Sequence, residues 1–123
     1  MTQDSNFYLA HLLTQNLSNK ISIQIKKEFE KINTPLHGEL ELNDYEKSKE
    51  VISEKIKLLE SEMPNKLVEL MYHSDIAEEK VINALQENEN HHEILAEQLI
   101  FRSAQKVYYQ IKYATKKTEN GNF

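Results

Sequence analysis

The chain has 123 residues, enough for one domain, and no Cys, which excludes disulfides, thiolate nucleophiles and thiolate zinc sites. Two Gly and two Pro are too few for a sheet protein with many tight turns or for a Gly-rich phosphate cradle. Hydrophobic residues make up 39%, which suffices for one modest core, and the excess of Lys, Glu, Leu, Ile, Asn and Gln favours helix. The net charge of −5 is uneven: residues 64–93 hold two Lys against seven acids, and residues 94–123 hold five basic residues against two acids. An acidic and a basic helix packed side by side account for that split, and a basic partner for the acidic helix is the sharper alternative.

Residues 1–5 are polar and expected to fray, and Ser5 or Asn6 is placed to cap a first helix. Leu9, Leu13, Leu17, Ile21, Ile25 and Phe29 recur every four residues, and Leu12, Ile23 and Ile32 broaden the face, so one long helix is expected. Ile21 to Ile25 also alternates as a strand would, but the flanking helical phase favours helix. Pro35 disfavours helical backbone at Thr34, and Gly38 permits a positive φ, so a loop follows. Its Leu36, Leu40 and Leu42 are expected to tuck against the bundle. Asn43 and Glu46 have capping-box spacing for the next helix. That helix turns Ile52, Ile56, Leu59 and Met63 inward. Pro64 cannot donate to the carbonyl of Glu60, yet the apolar stripe continues through Leu67 and Leu70. One helix kinked at Pro64 is therefore favoured over a new helix starting there.

Leu67, Leu70, Ser74, Ala77, Val81 and Ala84 share a helical face. Gln86 to Glu93 reads as a break, with Asn90 and Glu93 as a capping pair that starts the last helix at about His91. A continuous helix through Asn88 is the alternative. Leu95, Ala96, Leu99, Ser103, Val107, Ile111 and Ala114 form the inward face of the last helix, and Lys112, Lys116 and Lys117 complement its C-terminal dipole. The expected fold is all-α. It is a small antiparallel helical bundle of three long helices, the middle one kinked at Pro64, or of four, over residues 1–117 as a single domain, with a disordered tail at 118–123. No early segment reads as a signal peptide and no run reaches the length of a membrane span, so a cytoplasmic protein without a membrane role is expected.

Each candidate chemistry has a plainer competitor. Glu69 and His73 lie four apart on one helical face, and with His92 they form a candidate single Zn or Ni site. A di-iron carboxylate site needs Glu-x-x-His twice plus two further glutamates, and the spacing occurs once, at Glu89 and His92. Capping and solvation explain these residues more simply, and no cofactor is expected. Ser74 beside His73 points away from it on a helix, so nucleophilic catalysis has no support and an enzyme is not favoured. Basic residues interleaved with tyrosines at Arg102, Lys106, Tyr108, Tyr109, Lys112, Tyr113, Lys116 and Lys117 suit phosphates and bases. The acidic chain and its single Arg argue against nucleic acid. Phe7, Tyr8, Met71, Tyr72 and the aromatic residues of the last helix exceed what one stripe per helix buries. The expectation is a non-enzymatic protein that acts by protein–protein binding, as an adaptor, inhibitor or immunity-type factor, and forms a homodimer. Phe101, Arg102, Tyr108, Tyr109, Lys112 and Tyr113 are its expected partner-binding face. A metal-binding bundle enzyme and a nucleic-acid binder are the alternatives.

Overall fold

Apolar periodicity runs along the helices of this chain, and Asn16, Asn33 and Asp75 stop three of them. The computed structural model describes residues 3–86 and 90–120, with side chains for 7–86 and 90–114. The helices are α1 (Gln3–Thr14), α2 (Ser18–Lys31), α3 (Tyr45–Glu62), α4 (Pro64–His73), α5 (Glu78–Gln86) and α6 (His91–Asn120). No strand occurs among the described residues.

Among the described residues six helices replace the expected three or four, because the chain breaks at Asn16, at Met63–Pro64 and at Asp75; Asn33 ends α2 where a loop was expected. Asn16, Asn33 and Asp75 adopt left-handed backbone, with φ of 60°, 59° and 64°. The residue after each returns its N–H to the helix: Leu17 to the Leu12 carbonyl, Thr34 to Phe29 and Ile76 to Met71, at 3.0, 3.1 and 3.2 Å. Asn16, Asn33 and Asp75 themselves donate to Leu13, Glu30 and Tyr72. This paired C-cap satisfies orphan carbonyls and turns the chain, and Asn and Asp tolerate the left-handed region better than other side-chain-bearing residues. It divides the expected first helix into α1 and α2, and the expected Leu67 to Leu85 helix into α4 and α5. Asn33→Ala is expected to cost about 1 kcal/mol, whereas Asn33→Gly is expected to hold or raise stability; urea unfolding of the two variants checks this.

The other boundaries also shift. Met63 has φ −143° and ψ 65°, so it ends α3 and precedes α4, and Pro64 is the first residue of a new helix rather than a kink within one. Asp44, not Asn43, caps α3, accepting from the Lys47 N–H at 3.3 Å. Asn43 instead donates to the Ser18 hydroxyl at 3.2 Å. α1 begins at Gln3, ahead of the expected caps Ser5 and Asn6. α6 begins at His91 as expected and continues in backbone through Asn120. The break expected around Asn88, and the part of the expected tail at 121–123, lie outside the described residues.

α6 is the hub. It packs against α1, α2, α3 and α5, while α4 packs against α2 and α3. From His91 to Tyr109 only Glu93 is fully exposed, because a helix with four neighbours has little free surface. Its Leu95, Ala96, Leu99, Ile100, Ala104 and Val107 meet Ile21, Ile25 and Phe29 of α2 and Ile52, Ile56 and Leu59 of α3 in one core. Leu36, Leu40 and Leu42 of the loop join that core as expected. The loop is fastened by Ser22, which donates to the Leu40 carbonyl at 2.7 Å, and by Lys26, which donates to the Gly38 carbonyl at 2.8 Å.

Candidate functional site

α4 and α5 each bury one apolar edge and leave a second edge in water. On α4, Leu67, Leu70 and Met71 turn inward, while Val68 and Tyr72, one turn apart, are 67% and 79% exposed. On α5, Ala84 is buried and Val81 half-buried, while Ile82 and Leu85 are 46% and 47% exposed. The two helices rest on different neighbours, α4 on α2 and α3, and α5 on α6. Between them lies a groove of about 480 Å³ whose floor is Leu67, Met71, Ile76 and Leu95. Val68, Tyr72, Ile82 and Leu85 form its sides. Glu78 lines it as well, and Glu79 stands beside Glu78 in the first turn of α5. Large apolar groups gathered around an apolar floor, with Glu78 at its edge, form a contiguous exposed patch rather than isolated exposed hydrophobics.

The face expected to bind a partner is largely engaged within the chain. Phe101 is half-buried and stacks on Tyr45, with centroids 6.4 Å apart and planes 10° from parallel. Arg102 donates to the Asp75 carbonyl at 3.1 Å and to its carboxylate at 2.6 Å, latching the left-handed corner between α4 and α5 onto α6. The hydrogen bond and charge of Arg102 hold the Asp75 carboxyl below its ordinary range. Tyr108 packs against Tyr8 and His11 of α1, and the Tyr109 and Tyr8 hydroxyls lie 3.2 Å apart. Lys112 sits over the Tyr108 ring at 5.9 Å. Lys112 and Tyr113 are the exposed members of the set. The groove was not legible as a site, since periodicity identifies apolar faces but not which of them lacks a neighbour. Tyr72 alone among its exposed members stood out beforehand, as a surplus aromatic.

The expected metal set does not assemble. Glu69 pairs with Lys66 at 3.6 Å, and His73 meets the edge of Tyr72. Among the described residues, the one group of three or more His, Asp or Glu side chains whose ligand atoms lie within 4.8 Å of one another is Glu60, His91 and His92. Of the expected set, only His92 belongs to it. The His91 Nε2 is 3.1 and 3.0 Å from the two Glu60 oxygens, and the His92 Nε2 is 2.5 Å from Oε1. The hydrogen bond from His92, then that from His91, holds the Glu60 carboxyl below its ordinary range.

A second polar cluster is structural. The Glu28 side chain on α2 is fully enclosed, and Lys106 of α6 reaches Oε2 at 2.8 Å. Gln24 donates to the same oxygen at 2.7 Å, Lys31 lies 3.2 Å from Oε1, and the Ser74 hydroxyl is 3.4 Å from Oε1. Burial alone would raise the Glu28 pKa, but the hydrogen bonds from Lys106 and Gln24 and the charges of Lys106 and Lys31 outweigh it, leaving the carboxyl below its ordinary value. With every oxygen satisfied by the protein, Glu28 ties α2 to α6 and offers no vacant chemistry. Tyr45, by contrast, is pushed far up by burial and by its 2.8 Å hydrogen bond to Glu97, so it stays a neutral donor at all ordinary pH. No helix among the described residues is long and apolar enough to cross a membrane. No family model matches the chain, and no curated protein or solved structure shows significant similarity to it.

Proposed function

We propose that this protein is a non-enzymatic protein-binding module whose α4–α5 groove receives the apolar face of an amphipathic helix with a basic outer face. The observation that carries the reading is the gathering of Val68, Tyr72, Ile82 and Leu85 around a continuous apolar floor. α4 has 10 residues and α5 has 9, so the walls extend roughly 14 Å at about 1.5 Å per residue, which fits two to three turns of a partner helix. Helix-in-groove recognition takes its affinity from apolar anchors spaced along one helical face. The acidic balance of residues 64–93 favours a basic partner through encounter rate and register. This reading keeps the protein-binding role inferred from the sequence and narrows its surface from the outer face of the last helix with the acidic helix beside it to the acidic segment, α4 and α5.

A synthetic amphipathic peptide of Leu and Lys is expected to bind, and one with the same apolar positions but Glu in place of Lys is expected to bind at least about tenfold more weakly, a difference of about 1.4 kcal/mol. Ile82→Asp is expected to remove binding of the Lys peptide while circular dichroism stays unchanged. Equal binding of both peptides, or undiminished binding by Ile82→Asp, contradicts the reading. A homodimer seen by sedimentation that Ile82→Asp dissolves would place a second copy in the groove instead.

A further inference from the structure

The geometry points to a divalent-cation site formed by Glu60, His91 and His92, of the class filled by Zn²⁺ and other first-row ions that favour imidazole and carboxylate. Neighbouring residues on a helix ordinarily diverge by more than a quarter turn. His91 and His92, in the first turn of α6, instead bring both Nε2 atoms to one carboxylate in the last turn of α3. Their ring centroids lie 3.8 Å apart. Two imidazoles with a carboxylate make the His₂Glu donor set that zinc accepts. Bonds of about 2.0–2.1 Å in a tetrahedral shell place ligand atoms about 3.3 Å apart. The nitrogen–oxygen separations of 2.5 to 3.1 Å therefore need to open by about 0.2 to 0.8 Å to reach that spacing. The imidazoles are 17% and 16% exposed and the carboxylate 39%, which leaves an entry path and room for solvent to complete the shell.

The location gives the ion a structural consequence. Glu60 lies in the last turn of α3, four residues before Pro64 opens α4, and His91 opens α6 shortly after α5 ends in sequence. An ion there clasps the roots of both helices that wall the groove. The site does not depend on what the groove binds, and its test involves no peptide. Tag-free, chelator-treated protein is titrated with Zn²⁺ by calorimetry and with Co²⁺ by visible absorption. One equivalent is expected to bind, to raise the thermal midpoint, and to shift the Nε2 resonances of His91 and His92. Glu60→Gln and the double variant His91→Gln/His92→Gln are each expected to weaken binding at least tenfold, and His73→Gln to leave it unchanged. Circular dichroism identifies any variant that has lost its fold; the resonance shifts in the unsubstituted protein then decide. Absence of stoichiometric binding would overturn the proposal and leave the cluster as a hydrogen-bonded latch, as would shifts confined to His11, His37 or His73.

Discussion

Glu28→Ala is expected to lower the unfolding free energy by about 3–5 kcal/mol, because it strands a cation inside the protein. Lys106 keeps only 18% of its side-chain exposure and points its ammonium at Glu28, while Gln24 loses the acceptor it meets at 2.7 Å. Removing both charges tests the mechanism. The double variant Glu28→Met/Lys106→Met is expected to recover much of the loss, since an apolar pair replaces a desolvated ion pair without an unpaired charge. Urea unfolding of Glu28→Met, Lys106→Met and the double variant closes the cycle. The pH dependence has a definite sign. Because the folded carboxyl titrates below its ordinary value of 4.5, the unfolded chain takes up the proton first on acidification. The contribution of Glu28 is therefore complete above about 4.5 and is lost as pH falls through the lower folded value. In Glu28→Gln that acid-side loss is expected to be smaller.

Leu99→Ala is expected to cost about 2–5 kcal/mol by lost transfer energy and an unfilled cavity. Leu99 is fully buried in the first third of α6, and α6 is in contact with four of the other helices, so no single neighbour can collapse into the space. Tyr72→Ala, at a position 79% exposed, is expected to change stability by no more than about 0.5 kcal/mol. Thermal unfolding of the pair separates apolar residues that build the core from those presented to a partner. Comparable losses at both positions would mean that the groove is closed within the chain.

Helical class was legible because periods of three and four dominate and Gly and Pro are scarce. Much of the inward face of α6 was legible for the same reason: Leu95, Leu99, Ser103 and Val107 are all buried. Helix count was not legible, because Asn16 and Asp75 terminate helices through backbone conformation, and Asn or Asp on a polar face reads equally well as solvated. Pro64 offered two consistent geometries, and the unbroken apolar phase across it favoured the wrong one: Met63, counted as inward, is 38% exposed. Glu28 lies in the run Lys26-Lys27-Glu28-Phe29-Glu30-Lys31, which looks like a solvated charged face until Lys106, far away in sequence, arrives beside it. Glu60 and the two histidines are likewise separated by 31 and 32 positions. Local spacing cannot pair them, and the spacing of Glu69 with His73 on α4 does not bring either residue to His92. The α6 tyrosines seemed surplus because a single stripe was allotted to a helix that α1 also covers through Phe7, Tyr8 and His11.

The central claim, that α4 and α5 together form the binding face, is tested most directly by following backbone amide and methyl resonances while the Leu and Lys peptide is added. The account predicts saturable shifts concentrated at Val68, Met71, Ile82 and Leu85, with the Tyr113 region of α6 unmoved. Shifts centred on Lys112 and Tyr113, or spread evenly over the acidic surface without saturation, would contradict it.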